Sequence, residues 1–365
     1  MVTRECPRIG QYSSVELRAR PSADRQGSER RVRSRVSTAV VGVWTKAGNW
    51  KGKASHLVSA LSLAVCVANW NGCDTTGMND SRVLGVEQTS SQIVVTIRGE
   101  TAVIYQLAGG WKPYLKEFRN ARGINVIRDS PPDHRHHHGI MFALRIDGVN
   151  FWEEQEQSGR QQQRRLLPVM EGAVSGVSYV SFGQELAWTR PGDPLPLLQE
   201  TRRLAVCFSD ELGATLTDWR SVLTVSQGRD EVVLSGPNYV GLGVRFAASM
   251  DRGGVFRNAN GQSGARATDG VEARWTAYSG SLGLGRLATV TVFGDAKTPP
   301  RWFTLDEPFA YLAATLGLDR KPVRLVGNSR LELRYGLAVW NTNPEPTQIQ
   351  ALYDRWQALT QTLPQ

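Results

Sequence analysis

The run Asp133-His134-Arg135-His136-His137-His138-Gly139 places four of the chain's five histidines within five positions, directly behind Pro131-Pro132. Imidazole titrates unperturbed near neutral pH and is the commonest metal ligand, so the cluster suits either proton transfer or metal binding. Read as a strand, the segment alternates its side chains, with His134, His136 and His138 on one face and Arg135 and His137 on the other. Three aligned imidazoles of that kind would hold one divalent metal such as zinc, or move protons. The competing reading is a polar loop whose rings face water.

Other residues have types fit for the same chemistry. Arg245 follows Gly241 and Gly243, and is read either as a fork for a substrate carboxylate or ring hydroxyls, or as a structural ion pair at a strand end. Glu153, Glu154 and Glu156 follow Phe151-Trp152. Glu153 is the first candidate for a carboxylate partner to a histidine, against a solvated acidic loop end. Trp152, Trp275 and Tyr278 offer flat faces to a sugar ring, or simply fill the core. Asn258 and Asn260 sit in an amide-rich stretch suited to hydroxyl groups and equally to a turn, and His137 is read as a substrate contact. Gly283-Leu284-Gly285 lacks a third spaced glycine and a following helix, so no nucleotide-binding loop is expected.

Charge argues against a nucleic-acid partner. The chain carries a net +9, but residues 1–56 hold twelve Lys and Arg against four Asp and Glu, leaving the remainder nearly neutral. After Lys46, Lys51 and Lys53 comes the apolar run Leu57 to Ala68, then polar residues. That order is a secretory signal, too short to span a bilayer comfortably. Residues 1–72 are therefore expected to be absent from a mature, periplasmic or extracellular protein, with a true start near Val41 or Val43. Cys73 is a candidate lipidation site, although Trp70 stands where a Leu-like residue is wanted; a lipid anchor there would be the one membrane link. Cleavage would leave Cys73 and Cys207, allowing one disulfide at most, and Cys207 within Leu204–Phe208 reads as a buried free thiol.

The elements that must position these residues are strands. Gln92–Ile97 and Thr101–Tyr105 flank a three-residue loop, Arg98-Gly99-Glu100, while Ile140–Ile146 and Val149–Trp152 flank Asp147-Gly148, a strong hairpin signal. β-rich runs continue at 173–190, 198–208, 214–226 and on to 330–340. Helical periodicity is confined to Ile349, Leu352, Tyr353, Trp356 and Leu359, predicting a helix over 347–359 with Thr347 as N-cap, packed across an open end of the sheets. Dense strands without alternating helices predict a large antiparallel β-sandwich as one domain over 73–365.

Lys112-Pro113-Tyr114-Leu115, the Asp133–Ile140 box, Asn150-Phe151-Trp152, Gly241-Leu242-Gly243-Val244-Arg245 and Leu333–Leu337 together resemble the bacterial methane oxygenase PmoA-like family over residues 84–342. The resemblance implies a secreted β-rich protein of polysaccharide-degrading bacteria, with no firmly established reaction. A membrane methane monooxygenase subunit is not implied, because no spanning helix follows the leader. The strand layout is similar to the supersandwich of galactose mutarotases, an analogy of fold. Two functions follow as expectations. One is an exported carbohydrate-active enzyme, of hydrolase, lyase or epimerase type, using the histidine cluster with or without a metal. The other is a non-catalytic carbohydrate-binding or envelope protein.

Overall fold

The computed structural model describes residues 83–107 and 110–364; the expected signal segment and Cys73 lie outside them. Within the described residues the chain is almost entirely antiparallel strand. One eight-stranded sheet runs in the order Leu84–Gln88, Gln92–Ile97, Glu100–Gln106, Tyr114–Phe118, Ile140–Ala143, Gly241–Arg245, Tyr311–Thr315 and Arg301–Leu305. A second runs Val255–Asn258, Trp275–Gly283, Arg286–Gly294, Arg330–Trp340, Thr215–Val225, Leu198–Phe208, Val177–Thr189 and Arg160–Val174. A small third sheet joins Val323–Val326, Glu231–Ser235, Arg145–Ile146 and Val149–Asn150. The expected all-β antiparallel sandwich with a C-terminal helix is the fold observed.

The two large sheets bury one shared apolar layer, in which Tyr105 of the first sheet meets Phe182 and Trp219 of the second at ring-centroid distances of 5.6 and 6.2 Å. Strand alternation divides the second sheet's side chains between two layers. Leu204 and Val206 face the first sheet, whereas Ala205 and Cys207 face a second cluster with Trp275, Phe293 and the C-terminal helix. The helix Pro346–Leu359 thus covers the outer face of the second sheet and not an open end of the sandwich. Its cap is Glu345, whose N–H donates to Gln348 Oε1 at 2.8 Å, and Pro346 opens the first turn, displacing the expected cap at Thr347. All five periodic apolar residues are buried, and Cys207 is free and buried.

Two hairpin details differ from the sequence reading. Arg98-Gly99 alone forms the first loop, both residues at positive φ, so it has two residues and not three. The polar run Arg160–Val174 is a fifteen-residue strand paired through a Ser175-Gly176 turn to Val177–Thr189; as an edge strand facing water it shows no apolar alternation to betray it. Asp147-Gly148 turns as expected, but the chain leaves the large sheet at Leu144, so the hairpin belongs to the small sheet.

Candidate functional site

The histidine box is not a strand. The Pro131 carbonyl accepts from the His134 N–H at 3.0 Å, and the His134 carbonyl from the His137 N–H at 2.9 Å, giving two successive turns. Pro-Pro-Asp starts such turns readily, and six polar residues in a row, Asp133 to His138, give a strand no apolar face to bury. Gly139 ends the loop at φ +35°. A Cβ there would lie 2.0 Å from the Leu115 carbonyl, so only glycine lets the chain press against Tyr114–Phe118 before entering Ile140–Ala143.

Curling the box regroups its side chains. His134 stacks on His137 with centroids 4.7 Å apart, His136 meets His137 at 4.6 Å, and His137 stacks on Tyr311 at 5.1 Å. His134, His136, His137 and Glu153 supply the polar lining of a cleft of about 250 Å³. Trp152, Tyr239, Phe303, Leu305, Phe309 and Tyr311 form its apolar walls. The expected facing of His134, His136 and His138 is therefore corrected. His137 takes the third place, and His138 is bound elsewhere.

His138 lies between two carboxyl groups, with Nδ1 2.6 Å from Asp129 Oδ1 and Nε2 2.9 Å from Glu154 Oε1. Burial opposes its charge, but the hydrogen bonds to Asp129 and Glu154 outweigh burial and hold its pKa above the usual value. Glu154 Oε1 also takes the ammonium of Lys112 at 2.6 Å, Tyr114 stacks on the imidazole at 4.4 Å, and the Tyr114 hydroxyl donates to Asp129 Oδ2 at 3.0 Å. With both ring nitrogens engaged, His138 has no lone pair for a metal. Among the described residues no three His, Cys, Asp or Glu side chains are grouped to hold one, so the proposed ligand set His134, His136 and His138 is not assembled. The network latches the loop to the sheet beneath it.

Asp133 links the cleft to Arg245: its Oδ2 lies 3.2 Å from His134 Nδ1 and 2.5 Å from Arg245 Nη2. Burial works to raise the Asp133 pKa, but the hydrogen bonds from His134 and Arg245 prevail and bring it to about 2. An ionised carboxylate only accepts, so His134 Nδ1 carries the proton and Nε2 keeps the free lone pair. Burial, then the Lys112 charge, lowers the His136 pKa, and burial reinforced by its imidazole neighbours brings His137 to about 2. His137 is thus a neutral wall at working pH.

The remaining sequence candidates fall apart spatially. Tyr278 donates to the Met250 carbonyl at 2.5 Å and packs on Phe246 and Phe256 in the core, while Trp275 lies under the C-terminal helix. Asn258 Oδ1 accepts from the Asn260 and Gln262 N–H groups, both at 3.1 Å, making a turn. None of these four residues lines the cleft, and Glu156 is exposed. Tyr239, Phe303, Phe309 and Tyr311 escaped the sequence reading because nothing local marks a wall built from strands and their connecting turns some 100–170 residues away.

Two outcomes are expected. A Cβ on Gly243 would meet the Tyr311 hydroxyl at 1.8 Å and Trp152 at 2.9 Å. Gly243→Ala should therefore push both rings into the cleft and cost about 1–3 kcal/mol of stability by denaturant titration. Stability should also peak near pH ~6.5, the ordinary histidine value. Below it the unfolded chain takes up protons that His136 and His137 refuse, so stability falls as pH falls. Above it the folded chain keeps the His138 proton longer, so stability falls as pH rises towards the raised folded value. Thermal melts from pH 5 to 9 should show a shallower acid limb with His137→Phe and a lost alkaline limb with His138→Gln; an unchanged profile in both variants would refute the assignment.

Residues 92–354 match a family of unknown function, DUF6807. No curated protein matches the chain. Solved structures similar to it include two GH36 α-galactosidases of Geobacillus stearothermophilus. AgaA shows 7% identity and a TM-score of 0.36, and AgaB 10% and 0.34, each pairing 71% of this chain with 41% of the enzyme. The α-galactosidase of Lactobacillus brevis shows 7% identity and a TM-score of 0.33, with 75% and 42% covered. The chain spans about two fifths of the length of these enzymes. Matched through most of its length, from Gln92 to Asp354, the chain belongs to the DUF6807 family.

Proposed function

We propose that the protein is a carbohydrate-active enzyme whose site is the cleft under the histidine box. One observation carries the reading: a single small cavity joins walls of Trp152, Tyr239, Phe309 and Tyr311 to the polar edges of three imidazoles and Glu153. A sugar ring has the matching character, with apolar C–H faces that pack on aromatic rings and hydroxyl edges that need donors and acceptors. At about 250 Å³ the cavity suits one ring more than an extended chain. His134, with Nδ1 fixed by Asp133, presents Nε2 as the general base, in the way that a carboxylate orients a catalytic imidazole generally. His136 is a second neutral imidazole close to the charge of Glu153, and Glu153 is the carboxyl partner in the same lining. His138 takes no part in proton transfer on this account; it positions the loop.

The test is a turnover and binding screen of the purified protein against monosaccharides and short oligosaccharides, followed by mass spectrometry and calorimetry. Chemical change of a sugar by the wild type, lost in His134→Ala with binding retained, is the expected result. Binding without turnover by any sugar in the panel would replace the enzyme by a carbohydrate-binding module. Binding undisturbed by changes at Trp152 and Tyr311 would move the ligand out of this cleft.

A further inference from the structure

The polar atoms left without partners around this cleft are not evenly mixed between donors and acceptors. Trp152 Nε1, Tyr311 Oη, His137 Nδ1, and Nε and Nη1 of Arg245 are all buried with no hydrogen-bond partner, and of these only the His137 nitrogen and the Tyr311 oxygen can also accept. Trp152 and Tyr311 are each 2% exposed and line the cleft; Arg245 is 1% exposed. Indole and guanidinium nitrogens only donate, and the tyrosine hydroxyl has a proton to give. Buried donors without acceptors are costly, and such a group in a folded protein points to a ligand that completes it.

Arg245 is tied to the cleft by position. It stands directly opposite Tyr311 in the antiparallel pairing of Gly241–Arg245 with Tyr311–Thr315. Its guanidinium carbon lies 3.5 Å from the centre of the Phe309 ring, which covers the flat face and leaves only the in-plane edges for hydrogen bonds. Asp133 is its direct partner, through an oxygen shared with His134, while Asp251 acts on it from a pairing with Arg128. Gly243, two residues earlier on the same face, keeps the space in which the Tyr311 hydroxyl and the Trp152 ring sit. Glu153 also lines the cleft, close enough to Tyr239 to influence its hydroxyl. The Arg245 cation and the unpaired donors thus meet at the Trp152, Tyr311 and Phe309 part of the lining.

We propose that the ligand is an acidic sugar, whose carboxylate is seated at the Trp152–Tyr311 wall within the field of Arg245. A carboxylate is an acceptor-only group with room for several donors, and it complements this set where a hydroxyl would leave its own proton competing. The inference rests on the proposed sugar cleft and narrows it to one substrate class.

The experiment compares matched pairs that differ only at C6, glucuronate with glucose and galacturonate with galactose, by calorimetry on the full chain, with acetate as a carboxylate lacking a ring. A hydrogen bond to a charged group accounts for roughly ten- to a hundredfold in affinity, so the uronate should bind at least about tenfold tighter than its neutral partner. Tyr311→Phe removes one donor and keeps the ring, so it should weaken the uronate more than its neutral partner and shrink that ratio. Arg245→Lys should shrink it further, and a circular-dichroism melt confirms that each variant is folded. Equal binding of acidic and neutral partners overturns the inference and leaves the sugar cleft standing. Acetate binding as tightly as the uronate overturns the sugar ring while keeping the carboxylate. No binding by any member of either pair overturns both readings for these sugars.

Discussion

Arg202→Met should lower stability by about 3–5 kcal/mol, because removing one partner of a buried ion pair leaves the other charge uncompensated. Arg202 and Glu200 are both fully buried between the sheets, joined through Nε to Oε1 at 2.7 Å and Nη2 to Oε2 at 2.9 Å. Glu200 further accepts from Trp188 Nε1 and Ser221, and Arg202 reaches Gln161 Oε1 at 2.9 Å and the Pro113 carbonyl at 3.1 Å. The last contact matters for the site. Pro113 follows Lys112, whose ammonium holds Glu154 and through it His138. Urea titration should therefore show the loss of stability, and the His138 imidazole should lose its raised pKa in the same variant. A stability change under about 1 kcal/mol would mean that the pair is not the pin it is taken to be.

How far the sequence discloses this arrangement depends on the range over which each feature is encoded. Strands, the Asp147-Gly148 turn and the helix carrying Ile349 to Leu359 are legible because period and turn chemistry are local properties. The histidine box is legible as a place and misleading as a shape: strand alternation joins His138 to His134 and His136, whereas Pro131-Pro132-Asp133 curls the segment and substitutes His137. Lys112 and Asp129, which fix His138, are single residues with no motif of their own. The aromatic walls come from pairings such as Arg245 with Tyr311, sixty-six residues apart, which no local pattern records. Asn258, Asn260 and Tyr278 illustrate the converse, since residue types suited to sugars serve there as a turn and a core hydroxyl.

His134→Ala should reduce turnover by about 10²- to 10⁴-fold, the usual contribution of a positioned general base. The imidazole is partly exposed and its one polar contact is to Asp133, which keeps Arg245 as a partner, so the fold should survive. Asp133→Asn should produce a related loss through another route. The amide can donate to His134 Nδ1, which moves the ring proton to Nε2 and removes the lone pair that the reaction needs. A drop in kcat in both variants with KM little changed separates this role from one of binding; equal turnover in wild type and His134→Ala would assign the base elsewhere.

The most direct measurement is a long-range ¹H–¹⁵N spectrum of the histidine side chains during titration with glucuronate. At pH ~6, below the ordinary histidine value, the free protein should show His137 neutral, His138 doubly protonated, and the neutral His134 ring carrying its proton on Nδ1. Glucuronate should shift the His134, His136 and His137 resonances together and leave His138 in place. A sugar that binds with none of those three imidazoles moving, or with His138 moving alone, would contradict the assignment of the cleft as the functional site.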